Sequence, residues 1–226
     1  MKTFNASKSQ TMRRSLATAS ASALVVALTV SLSQRALADE VKPPQVPTDI
    51  QVPAGNIAFL KGAATGTQNY ECTPASAGFA WVLFTPEATL FNNADKQTIT
   101  HFFGPNPEEP NSDPSVVADG TIRAAWQARD TSTVWARVFP LSKPSFDPLF
   151  VRPNSVPWLL LEKRGVQEGP RGGDLLTRTT FIQRVNTSGG LAPATGCSQA
   201  SDVGKKAFVP YTADYFFFTD ATTIDD

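Results

Sequence analysis

His101 is the only histidine in this chain of 226 residues, and that removes most of the familiar side-chain chemistries. A zinc site of the usual kind needs further His or Cys ligands. The two cysteines, Cys72 and Cys197, lack the C-x-x-C spacing of a redox pair. A Ser–His–Asp triad would have His101 as its single available base, and no G-x-S-x-G elbow occurs. In Thr100-His101-Phe102-Phe103 the imidazole stands at a strand end, where a hydrogen-bonded structural role is the default. Paired carboxylates could hydrolyse a glycosidic bond if two lay ~5–9 Å apart. Glu71, Glu87, Asp119, Asp130, Glu162, Glu168 and Asp174 are the candidates, yet no spacing pairs them and all read as surface charge. Glu108, Glu109 and Asp113 in a Pro/Asn loop read as solvated acids rather than a Ca²⁺ loop. The glycine stretches at 62–66, 169–173 and 189–190 match neither G-x-G-x-x-G nor G-x-x-x-x-G-K, so they read as turns and bulges. The sequence therefore predicts no catalytic set, no metal and no cofactor.

Aromatic side chains are plentiful: 15 Phe, 4 Trp and 3 Tyr. Trp81 and Trp158 sit inside apolar runs and read as core. Trp126 and Trp135 lie on an amphipathic hairpin, where either could stack on a sugar ring or another apolar ligand, with core packing as the default. Polar residues set densely among aromatic strands mark a candidate ligand-binding group: His101, Trp126, Trp135, Gln183 and Arg184. The partner they suggest is a small molecule or a glycan.

The elements that must position these residues are short β-type runs separated by turn residues. The pattern predicts strands over 57–62, 68–72, 78–85, 88–91, 97–103, 158–162, 178–186, 206–209 and 213–218, the last two closing around a Pro210-Tyr211 turn. The clearest signal is a hairpin over 121–139. Ile122, Ala124, Trp126 and Ala128 alternate on one face, and Val134, Ala136 and Val138 oppose Trp135, Arg137 and Phe139. One helical turn at 175–178 or 201–205 is the most helix the pattern allows. The expectation is a single-domain, all-β antiparallel sandwich or barrel of about ten short strands. A Pro-rich segment, 39–53, precedes a β domain over 54–219, and an acidic tail, 220–226, follows it.

Residues 1–38 carry Lys2, Lys8, Arg13, Arg14 and Arg35 and no acid, then an apolar stretch, then Ala36-Leu37-Ala38. That is the order of a cleavable export signal, with cleavage between Ala38 and Asp39. The apolar stretch is about 17 residues and rich in Ser and Thr, at the lower limit for spanning ~30 Å of hydrocarbon. An uncleaved anchor, a start at Met12 and a twin-arginine route at Arg13-Arg14 are the weaker alternatives. The expected location is secreted or periplasmic, with no stable membrane anchor after cleavage. Fifteen of the 20 bases and all 20 acids lie in 39–226, a net charge of −5. Nucleic acid and anionic membranes need basic surfaces, so neither is an expected partner. A monomer is expected. All 18 prolines also fall in this part, spread out, which leaves little room for long helices. Two cysteines in an oxidising compartment predict one disulfide, Cys72–Cys197, worth roughly 4–5 kcal/mol by loop closure.

Several runs occur in a particular order: Gly66-Thr67-Gln68-Asn69-Tyr70-Glu71-Cys72, His101-Phe102-Phe103-Gly104-Pro105, Pro157-Trp158-Leu159-Leu160-Leu161, and Phe181-Ile182-Gln183-Arg184-Val185-Asn186-Thr187-Ser188-Gly189-Gly190. Pro193-Ala194-Thr195-Gly196-Cys197 and Val209-Pro210-Tyr211-Thr212-Ala213-Asp214-Tyr215-Phe216 follow. Together they resemble the exported domains of unknown function numbered 3455, found in bacteria and filamentous fungi. The resemblance implies a signal peptide, a paired-cysteine framework and no established activity. The functional expectation is a ligand-binding or surface-interaction module. The alternatives are an exported hydrolase using paired carboxylates and an envelope or stress structural protein.

Overall fold

The alternation read between 121 and 139 becomes two neighbouring strands, Ile122–Ala128 and Thr133–Val138, joined by a tight turn. The computed structural model describes residues 41–108 and 122–224. In it these are β4 and β5 of a closed barrel of eight strands, each antiparallel to its neighbours in sequence. The others are β1 (Asn56–Ala75), β2 (Gly78–Phe91), β3 (Gln97–Pro105), β6 (Leu159–Gln167), β7 (Phe181–Gly189) and β8 (Lys206–Asp220). β8 returns to pair with β1 and closes the wall. Closure satisfies the backbone groups that an open sheet would leave at its edges. A barrel of eight strands has an interior that side chains fill or that holds one small ligand.

Alternation splits the apolar residues into two clusters. The inward set includes Ala64, Leu90, Ile99, Trp126, Val134, Ile182, Tyr215 and Phe217 and forms the barrel core. The outward set, with Trp158, Leu160, Val185, Phe216 and Phe218, coats the outer face of β6, β7 and β8. The Pro-rich segment covers that face. Its single 3-10 turn, Thr48–Ile50, places Ile50 at 0% exposure in the outer cluster. Gln183 Nε2 donates to the Ile50 carbonyl at 2.8 Å. Burying one Ile contributes roughly 1.5–3 kcal/mol, and Val41, Val46 and Val52 pack on the same cluster, so the strap is held at several points.

One end of the barrel is plugged by the β6–β7 connection, where Leu176 is fully buried in the core cluster. The β4–β5 turn holds it there. The Asp130 carboxylate accepts hydrogen bonds from Ser132 N, Ser132 Oγ and Leu175 N at 3.0, 2.6 and 2.9 Å, and Ser132 Oγ accepts from Leu176 N at 3.1 Å. Partial burial alone would raise the Asp130 pKa, but these hydrogen bonds outweigh it and hold the carboxyl below its ordinary range. Gly173 is required there, because a Cβ would run into the Asp130 carbonyl.

The strand count is eight rather than about ten, because three expected breaks are not breaks. Residues 57–62 and 68–72 join into β1. The small residues between them stay extended, and at Gly66 a Cβ would run into the Glu87 carbonyl of β2. Pro86 lies inside β2 and Pro210 inside β8, so the expected Pro210-Tyr211 turn is overturned. Each proline pairs on one side alone: Pro86 with Gln68 of β1, Pro210 with Thr67 of β1, and neither with the strand on its other flank. A missing N–H costs no ladder bond in such a position. Residues 175–178 form a turn rather than a helix, and a 3-10 turn forms at Ala200–Asp202. Cys72 and Cys197 are joined as expected, their Cα atoms 5.4 Å apart. The disulfide fastens the β7–β8 connection to β1, aided by Tyr70 Oη donating to the Gly190 carbonyl at 2.7 Å. The export signal with its Ala38/Asp39 cleavage, the acids Glu109, Asp113 and Asp119, and the last two tail residues lie outside the described residues.

Candidate functional site

On β3, His101 stands opposite Ala88 of β2 and Trp126 of β4 and points into the barrel. Its ring stacks on Trp126 with centroids 4.2 Å apart and planes 8° from parallel, and Tyr215 packs against both rings at 5.3 and 5.6 Å. His101 Nδ1 lies 2.9 Å from the Ala125 carbonyl. A carbonyl can only accept, so Nδ1 carries the proton and Nε2 presents its lone pair. Burial pushes the imidazole pKa down to about 3, and the nearby Arg184 charge adds to this against the opposing Ala125 hydrogen bond. His101 is therefore neutral at physiological pH and acts as an acceptor at Nε2.

Arg184 reaches the same space from β7, where it pairs with Leu159 of β6 and Tyr215 of β8. It is 8% exposed. Its Nε and Nη2 both donate to the Pro157 carbonyl, at 3.3 and 2.9 Å. Among the described residues Nη1 has no hydrogen-bond partner, and no carboxylate forms an ion pair with Arg184. Its neighbours do not neutralise it. Burial raises the pKa of Tyr70, and burial together with the Tyr215 hydroxyl 3.3 Å away raises that of Tyr211, in both cases despite the Arg184 charge. Both phenols stay protonated. A buried guanidinium without a counter-charge is costly, so this corner of the barrel carries an uncompensated positive charge.

These groups line a cavity of about 280 Å³ at the end of the barrel opposite the Leu176 plug. Gln68, His101, Trp126, Arg184 and Tyr215 form its buried floor, and Leu83, Phe103, Ile122 and Leu159 form a half-exposed apolar rim. The Gln68 amide nitrogen is buried and makes no hydrogen bond of acceptable geometry, although the amide lies near enough to the Tyr211 hydroxyl to oppose the rise in its pKa. No Asp or Glu is present among the described lining residues. Apolar walls with a few converging polar groups are the usual make-up of a small-molecule site.

Of the residues singled out from sequence, His101, Trp126 and Arg184 share this cavity, whereas Trp135 and Gln183 lie outside it. Successive strand residues point to opposite faces, so Gln183 and Arg184 cannot both face inward. Gln183 is spent on the N-terminal strap, and Trp135 is buried on the outer face close to Gly104. The candidate carboxylates that the hydrogen bonds describe serve the scaffold: Glu162 binds Arg137 at 2.8 Å, and Asp130 holds the plug. Sequence reasoning missed Gln68 and Tyr215. A signal for Gln68 was present, since Gly62, Ala64 and Gly66 alternate ahead of it on one face and lead to a polar residue.

No curated protein and no solved structure matches this chain. The family model described as "Protein of unknown function (DUF3455)" matches residues 53–219. That span takes in the whole barrel except Asp220, the final residue of β8. The chain belongs to the DUF3455 family, and the cavity floored by His101, Trp126 and Arg184 lies within its family domain.

Proposed function

We propose that this protein is an exported binding module that holds one small ligand inside its barrel. The observation that carries this reading is Arg184, more than nine-tenths buried, without an ion-pair partner among the described residues and bordering an apolar cavity of about 280 Å³. A group so costly to bury is retained where something bound repays it. The signal pattern of residues 1–38 and the Cys72–Cys197 disulfide support export to an oxidising compartment, periplasmic or extracellular. Two-carboxylate hydrolysis finds no pair of acids among the described lining residues, which favours binding over that alternative.

A thermal-shift screen of the 39–226 protein against aromatic, aliphatic and sugar panels tests the reading. A ligand at 100 times its Kd adds about 2.7 kcal/mol, a rise in Tm of roughly 5–10 °C for a domain of this size. The shift should vanish in Ala136→Phe, which fills the cavity from β5. No shift across all panels, or a shift that Ala136→Phe leaves intact, overturns the reading.

A further inference from the structure

Resting on that reading, we propose that the ligand is a small organic monocarboxylate, its carboxylate set against the unspent edge of Arg184 and its apolar body running toward the rim. A guanidinium carries five N–H donors in a planar fork. Two of them serve the Pro157 carbonyl, and the Nη1 pair is unused. The groups packed around Arg184 supply no negative charge: His101 is neutral, and burial keeps the hydroxyls of Tyr70 and Tyr211 protonated. The Gln68 amide nitrogen, also unpartnered, adds a second donor in the same floor. Donors without acceptors call for an anion, and the fork geometry suits a carboxylate.

The charge count points to a monoanion. Arg137 and Arg123 also border the cavity, but Arg137 is engaged by Glu162 at 2.8 Å and Arg123 has interactions of its own. Both are partly exposed, so Arg184 is the one buried positive charge among the described lining residues, which matches a carboxylate better than a phosphate dianion. His101 Nε2 presents a lone pair, which turns a carboxylate away and leaves the Arg184 side as its seat. The volume of about 280 Å³ equals that of roughly nine waters at ~30 Å³ each. An acid of roughly ten heavy atoms fits such a space.

Titration calorimetry with cinnamate and octanoate, against methyl cinnamate, cinnamyl alcohol and octanol, separates this inference from the reading beneath it. The acids should bind at least roughly tenfold more tightly than the matched neutral probes. Arg184→Gln should erase that preference while leaving the neutral probes where they were, and Arg184→Lys should restore part of it. In case Arg184→Gln does not fold, carboxyl-¹³C cinnamate bound to the unmutated protein should titrate at lower pH than free cinnamate. Neutral probes binding as tightly as the acids, an acid preference that survives Arg184→Gln, or a bound carboxyl titrating at or above its free value each overturn the carboxylate while binding itself stands. Failure of every probe to bind the unmutated protein overturns both.

Discussion

At the plugged end of the barrel, Leu176 fills the interior and the local charge, Asp130, takes three hydrogen bonds from the turn and the plug it holds. At the other end the interior is left hollow, and the local charge, Arg184, gives two hydrogen bonds to one carbonyl and keeps Nη1 unused. The two ends share one wall and one alternation of side chains, so the difference lies in what the connections and the inward residues supply. The plugged end is finished for stability. The hollow end leaves polar groups without partners, a sacrifice of stability that sites of function commonly make.

Three measurements set the ends against each other. Leu176→Ala should cost about 3 kcal/mol in urea unfolding, since a fully buried Leu leaves a cavity behind. A loss under ~1 kcal/mol would mean the plug does not pack that end. At the hollow end, acid should do what mutation does at the plug. The folded pKa of His101 is about 3 against an ordinary 6.5, so between these values the unfolded chain binds more protons. Stability is then complete above pH 6.5 and falls as pH drops, by about 2 kcal/mol at pH 5. The shifted carboxylates Asp130, Asp202 and Asp220 are lowered from 3.8, so they act at the acid end of this window. His101→Gln should flatten the profile between pH 4.5 and 6.5, roughly the range where an ordinary histidine titrates, and a slope that persists there assigns the effect elsewhere. The smallest effect should have the opposite sign. Gln68→Leu removes a buried amide nitrogen that has no partner and should stabilise the protein by about 1 kcal/mol while weakening cinnamate binding. Destabilisation by that substitution would show the hollow end to be optimised for folding after all.

How much of this was legible in the sequence depends on how local the cause was. The β4–β5 hairpin was legible because Trp126 and Val134 fall on matching phases of a period of two, with a turn between them. The disulfide followed from a count of two cysteines in a chain whose first 38 residues read as an export signal. The long strands were not legible, because whether Pro86 and Pro210 break a strand depends on which side of each has a partner, and that is set by strands far away in sequence. The site was half legible for the same reason. His101 and Trp126 each stood out, but their stacking requires the β3–β4 register. The choice between Gln183 and Arg184 turns on one residue of phase, and no local signal fixed it. Tyr215 enters from β8, which is placed by barrel closure alone.

The pairing of β1 with β8 brings Asn56 beside Asp220 and Glu71 beside Lys206. That seam joins almost the first and last residues of the domain, and the Cys72–Cys197 bond crosses near it. A chain emerging from a ribosome therefore cannot complete its barrel until its final strand is free. Contacts of such long range make folding slow. The same seam that gives the finished protein no open edge keeps the unfinished one an open sheet, exposed to aggregation, until β8 arrives.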